Sequence, residues 1–169
     1  MKGHRSGPVA FNFYLLVIGV VMASSACVFC KIVEGALEGP IVFEDESTLA
    51  FLDHRPLFHG HTLVIPKKHV ETLTDLPPAM IATFFRSVQM LSRAVELAME
   101  AEGTFVAMNN RVSQSVPHLH VHVVPRRRKD GLKGFFWPRT KYSDQQQLNE
   151  VQSRLRSVIN ELKNREQIN

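Results

Sequence analysis

The chain has 169 residues, 44% of them hydrophobic, with nine glycines and nine prolines, enough for one domain around a continuous core. It shows no collagen-like period, long polar tract or repeat at solenoid spacing, which sets aside fibrous, disordered and repeat architectures. The formal charge is only +4 and Lys2 and Arg5 at the extreme N-terminus are part of it, so charge alone does not point to nucleic acid.

The chain begins with Lys2, His4 and Arg5, then an apolar run over residues 9–22 broken only by Asn12, then Ala23, Ser24, Ser25 and Ala26. That order is signal-like, with Cys27 placed for lipidation, although the run is shorter than the roughly 20 residues that cross a bilayer. Met22 is a competing start. The expectation is a cytoplasmic protein, because Cys27 and Cys30 serve better as a reduced pair than as a lipid site or disulfide. Export or membrane contact is expected only if residues 1–21 are a genuine signal or anchor. The domain proper is expected over residues 22–142, with a C-terminal helix and tail over 143–169.

Short β-rich runs at 41–44 and 48–52 flank a turn made by Asp45 and Glu46, and a third strand is expected over 61–65 between Gly60 and Pro66. Together they read as an antiparallel meander. From Pro77 the apolar residues Met80, Ile81, Phe84, Phe85, Val88, Leu91, Val95 and Ala98 recur at three and four, which predicts one long helix lying across the sheet. Asp75 is its expected N-cap, Pro77 and Pro78 suit its first turn, and Gly103 stops it. Two more strands are expected over 104–109 and 118–124, separated by a polar loop. A last helix over about 144–164 carries Leu148, Val151, Leu155, Val158, Ile159 and Leu162 on one face. The fold class is therefore α+β: about five antiparallel strands, one long helix packed on them and a C-terminal helix. Phe135, Phe136 and Trp137 read as core or dimer contacts. Arg126, Arg127, Arg128 and Lys129 read as a solvated loop, and no recognised nucleic-acid motif accompanies them.

Chemistry concentrates in His118-Leu119-His120-Val121-His122-Val123-Val124. In an extended segment the three imidazoles share one face and the aliphatic residues take the other. Same-face Cα atoms lie roughly 6.5–7 Å apart, so one metal is not expected to collect all three rings. Three histidines where a strand normally carries Thr, Lys or Glu point to metal ligation, or to nucleophilic and acid–base work near neutral pH. Cys27-Val28-Phe29-Cys30 can converge two thiolates on a metal, can be a redox pair, or can be two core cysteines.

The alternating histidines followed by Pro125-Arg126 resemble the defining motif of the histidine triad superfamily. Val42-Phe43-Glu44-Asp45-Glu46, Ala50-Phe51-Leu52-Asp53, Gly60-His61-Thr62-Leu63-Val64-Ile65-Pro66-Lys67 and Gln114-Ser115-Val116 are similar to its other blocks, in order, over about residues 27–126. The resemblance implies a nucleotide hydrolase of the bacterial HIT or Hint-like kind. In it His120 attacks the α-phosphorus of an adenosine nucleotide, a phosphoramidate or dinucleoside polyphosphate, and forms a nucleotidyl-histidine. It further implies that His122 contacts the phosphate or bridging oxygen, that Asp53 accepts the ribose hydroxyls, and that Asn109, Gln114 and Ser115 bind phosphate or ribose. The loop after Asn109 is shorter than in many relatives and lacks their glycines. The same resemblance makes Cys27, Cys30, His69 and His118 a structural zinc set, and implies a homodimer through the long helix and the strand over 104–109. His61 is placed to support the triad from the adjacent strand, and His54 and His59 to lie near the ribose. A nucleotide sensor with little turnover and a nucleotidyltransferase use the same pocket and stay open at this point; a nucleic-acid module ranks below them.

Overall fold

The computed structural model describes residues 27–132 and 141–166; the extension over 1–21 and the aromatic residues Phe135, Phe136 and Trp137 lie outside the described residues. A short helix α1 (Val28–Val33) opens them, followed by β1 (Ile41–Glu44), β2 (Thr48–Leu52) and β3 (Thr62–Pro66). The long helix α2 (Pro78–Ala98) comes next, then β4 (Gly103–Ala107), β5 (Val121–Arg126) and the C-terminal helix α3 (Gln145–Glu166). The five strands form one sheet in the order β1-β2-β3-β5-β4 with every pair antiparallel. The first three strands are the expected meander. β5 then inserts between β3 and β4, which leaves β4 on an edge. The chain divides into two compact units at Asp130/Gly131, and α3 belongs to the second. Among the described residues no helix is long and apolar enough to cross a membrane.

The turn between β1 and β2 is built by Asp45, whose Oδ1 accepts from the backbone N–H of Ser47 at 2.8 Å and of Thr48 at 2.7 Å. Its Oδ2 accepts from the Ser87 hydroxyl at 3.2 Å, tying the turn to α2. These donors hold its carboxyl below the usual range against the opposing effect of burial.

Both faces of the sheet are covered, and the alternation of each strand sorts its residues between two cores. Ala50 and Val64, with Leu119, Val121 and Val123, pack beneath Phe84, Val88, Leu91 and Val95 of α2. Leu49, Phe51, Leu63 and Ile65 face the other way, against Cys27, Phe29, Cys30 and Ile32 of the α1 segment. Hence β3 is buried at all five positions instead of alternating in and out. The α1 segment is the element that periodicity did not reveal, since six residues are too few to display a helical period.

The helix start differs from the expectation. α2 is preceded by Pro77 at the N-cap and begins with Pro78, where a missing N–H costs nothing. Asp75 instead closes a 3₁₀ turn (Leu73–Asp75) in a capping box, its carboxylate accepting from the backbone N–H of Thr72 at 3.0 Å and from its hydroxyl at 2.6 Å. At the far end the helix stops at Ala98, and Gly103 opens β4. The turn out is made by Glu100 with φ of 50°.

Candidate active site

His118, Leu119 and His120 precede the hydrogen-bonded ladder of β5, which starts at Val121. Their extended course still places the three imidazoles on the α1 side of the sheet, and α1 closes over them, so His118 is fully buried and His120 nearly so. Phe29 of α1 stands edge-on to His120, ring centres 5.4 Å apart at 84°, and edge-on to Phe51 at 5.3 Å. The face that carries His120 and His122 is a cleft wall.

Backbone carbonyls and amides assign the ring protons, because a carbonyl only accepts and an amide N–H only donates. His120 Nδ1 donates to the His118 carbonyl at 2.6 Å, which leaves its Nε2 lone pair free. His118 Nε2 donates to the Pro66 carbonyl at 2.8 Å, which leaves its Nδ1 facing the cysteines. His61 Nδ1 accepts from the Leu57 N–H at 3.2 Å, so its proton sits on Nε2, from which it donates to His122 Nδ1 at 3.0 Å. The His122 proton is thereby placed on Nε2. Burial, with His120 and His61 nearby, pushes the His122 pKa down to about 4, and burial lowers that of His61 against the pull of Asp53. Asp53 Oδ2 lies 3.5 Å from His61 Nδ1, and its Oδ1 accepts from the Arg55 N–H at 2.9 Å.

A cleft of about 360 Å³ brings Asp53, Ser115, His120 and His122 together with the apolar side chains of Phe29, Ile32, Phe51 and Leu63. Asn109 and Gln114 lie outside its walls. Asn109 Nδ2 donates to the Ser113 carbonyl at 3.2 Å. Gln114 accepts from the Arg111 N–H at 2.7 Å and donates to the Glu71 carbonyl at 2.7 Å, so its amide holds the loop in place. His54 borders the cleft, whereas His59 lines a separate hollow with Phe58, Met99 and Arg127. The part of His61 that residue spacing alone could not assign is its proton placement, since that rests on the Leu57 N–H.

Beneath the cleft the ligand atoms of Cys27, Cys30, His69 and His118 all lie within 4.8 Å of one another. Cys27 Sγ is 3.5 Å from His118 Nδ1, and Cys30 Sγ is 3.6 Å from the same nitrogen and 3.3 Å from His69 Nδ1. A tetrahedral zinc with bonds of about 2.3 Å to sulfur and about 2.1 Å to nitrogen gives S···N edges of about 3.6 Å. The donor set fits that ion. Without a cation, burial and the neighbouring Cys27 push the Cys30 thiol up to about 11, the direction a bound metal reverses. Asp53, His61 and His122 also cluster closely, but both His61 nitrogens are occupied by hydrogen bonds, which marks that group as a relay.

The basic run is largely occupied by its own fold. Arg126 pairs with Asp130 at 2.6 and 3.0 Å, and Arg127 donates to the carbonyls of Met99 and Glu100 past the end of α2. Arg128 lies 3.6 Å from Glu102. Two of these cations thus cap a helix or hold a turn, and this disfavours a phosphate-binding stripe.

Comparison with known proteins agrees with this geometry. The HIT domain model matches residues 34–129. Adenylylsulfatase HINT3 of Arabidopsis thaliana is 38% identical over 108 residues, covering 63% of this chain and 55% of that protein, so the chain matches little more than half the length of that relative. Adenosine 5'-monophosphoramidase HNT1 of Candida albicans is 31% identical over 150 residues, covering 85% of this chain and 98% of that one. Among solved structures, a Zn-bound histidine triad family protein from Mycobacterium smegmatis is 39% identical with a TM-score of 0.60, covering 80% of this chain and 99% of that one. The buried histidines on an antiparallel sheet, together with a family match over more than half its length, establish that this chain belongs to the HIT family.

Proposed function

We propose that the protein hydrolyses adenosine nucleotides, phosphoramidates or dinucleoside polyphosphates, at the α-phosphorus through a nucleotidyl-His120 intermediate. The observation that carries this reading is the 2.6 Å bond from His120 Nδ1 to the His118 carbonyl, which directs the one free lone pair of a nearly buried ring toward the cleft. In the first step the His120 Nε2–P bond forms as the bond from phosphorus to the leaving group breaks. In the second, water attacks phosphorus, the N–P bond breaks and the mononucleotide leaves. Splitting one displacement in two is the gain of covalent catalysis.

His122 supplies the leaving group's proton. An anionic phosphate in the cleft favours its charged form, opposing the burial that otherwise keeps it neutral. The extra proton enters at His61 Nδ1, which exchanges the Leu57 N–H for Asp53 Oδ2, 3.5 Å away, while the proton on His61 Nε2 passes to His122 Nδ1. Asp53 and Ser115 both line the cleft; in this reading the Asp53 carboxylate accepts from the ribose hydroxyls and the Ser115 hydroxyl donates to a phosphate oxygen. Cys27, Cys30, His69 and His118 would hold zinc as a structural ion, with no open position for chemistry.

The second copy of a homodimer would add along β4. Among the described residues that strand pairs only with β5, and Val106 on it and Met90 and Leu97 on α2 are exposed apolar side chains. A twofold pairing would remove the free edge.

The deciding experiment is incubation with adenosine phosphoramidate. Wild type is expected to release AMP, and His120→Ala to bind the nucleotide without releasing it. Turnover surviving in His120→Ala overturns the mechanism, and binding without turnover in wild type makes the protein a nucleotide sensor.

A further inference from the structure

The C-terminal helix carries a pattern that the nucleotide site does not use. Leu148, Val151, Leu155, Val158 and Leu162 follow one another at spacings of three, four, three and four. These are the a and d positions of a heptad, a narrower seam than the stripe of a helix lying on a sheet. Leu148 is 38% exposed, Leu155 59% and Val158 47%. In the first turns of the helix Gln145 donates to Asn149 at 3.0 Å and Gln146 to Glu150 at 2.9 Å. Among the described residues, Leu148, Leu155 and Val158 of this seam are exposed apolar side chains.

We propose that this seam packs against α3 of a second copy of the chain, in antiparallel orientation. Charge selects the orientation. The positions flanking the seam are Gln147, Arg154 and Glu161 at g, and Gln152, Ile159 and Glu166 at e. A parallel pair sets g of one helix against the following e of the other, which places Glu161 opposite Glu166 and Arg154 opposite Ile159. An antiparallel pair sets g against g. With position 155 in register with position 158 of the second copy, and 151 with 162, the position of Arg154 falls opposite that of Glu161 in the second copy. The twofold axis then repeats that ion pair, so the surface is complementary to itself.

The seam spans about two heptads, shorter than the three or four that specify a freestanding coiled coil. The pairing therefore rests on the homodimer proposed above for its second chain: once two chains are joined, their helices meet at an effective concentration of order millimolar.

The test is the dissociation constant of the full-length dimer, measured by sedimentation on dilution, for wild type, Arg154→Glu, Glu161→Arg and the double reversal. Each single reversal replaces two attractive contacts by two repulsive ones and should weaken the dimer about tenfold. The double reversal should return it to within about twofold of wild type, since it restores the attraction in opposite sense. Leu155→Lys, which leaves the flanking charges alone, should weaken it as well. A wild-type chain that stays monomeric at every concentration overturns the homodimer and this pairing with it. A dimer indifferent to both single reversals and to Leu155→Lys overturns the helix pairing alone, and a double reversal as weak as the singles overturns the antiparallel register.

Discussion

The proton chain Leu57 N–H, His61, His122 runs from a backbone amide to the cleft through two buried or half-buried rings. If His61 acts by setting the His122 tautomer, His61→Phe should lower kcat by at least tenfold. The loss should be small for substrates whose leaving group needs no proton and large for those with a basic one. Equal losses across leaving groups would show that His61 only fills space. The same rings link stability to pH. His61 and His122 have folded pKa values below the ordinary 6.5, that of His122 at about 4. Between these values the unfolded chain binds protons that the folded chain does not, so the stabilisation present above about pH 6.5 is lost as pH falls toward 4. In metal-free protein, Tm should drop between pH 7.5 and pH 5, and the drop should shrink in His122→Gln. An unchanged drop in that variant would remove His122 from the account.

Among the elements, α1 and the turn at Gly60 decide whether the cleft exists. α1 covers the histidine face and carries Cys30, so a chelator that removes the zinc proposed for this site should release the segment that walls the cleft. Tm should fall by several degrees and be restored by added zinc. Cys30→Ser should lower Tm similarly and be insensitive to zinc, and equal melting of wild type with and without chelator would count against a resident metal. Gly60 has φ of +92°, and a Cβ there would lie 2.6 Å from Met99 Cγ. Its turn leads directly into His61, just ahead of β3, and neither the backbone angle nor the space admits a side chain. Gly60→Ala is expected to cost about 1–3 kcal/mol, read from denaturant unfolding. A neutral result would mean that the turn and Met99 yield together.

At the scale of the whole molecule, the sheet works as a partition. α2 lies on one face and supplies stability through Phe84, Val88, Leu91 and Val95, while the opposite face holds the cysteines, the histidines and the cleft. Leu119 sits between His118 and His120 in sequence yet belongs to the α2 core. Truncating it to Ala should cost about 2–5 kcal/mol of stability. Refolded Leu119→Ala should keep its metal content if the two faces are as separate as their contacts indicate. Loss of zinc in that variant would show that the partition leaks.

Residue spacing carried a large part of this far. The alternation of His118, His120 and His122 determined which rings share a face, and the resemblance to the histidine triad family added His69 and His118 to the Cys27/Cys30 pair, four residues whose ligand atoms lie together. The first three strands were legible as short β-rich runs bounded by the turn at Asp45 and Glu46 and by Gly60 and Pro66, and the long helix because its period of 3.6 repeats often enough to be recognised. Only the tertiary structure decided what covers each face. A strand's alternation says which side chains go together, not whether water or another element meets them. The burial of the histidine face therefore had to come from α1, a helix too short to show a period. The same holds for the proton positions, which depend on the Leu57 amide and the Pro66 and His118 carbonyls. It holds too for Arg126 and Arg127, whose charges are answered by Asp130 and by the carbonyls of Met99 and Glu100 just past α2. Hydrogen bonds of that kind join residues through space, and no local pattern records them.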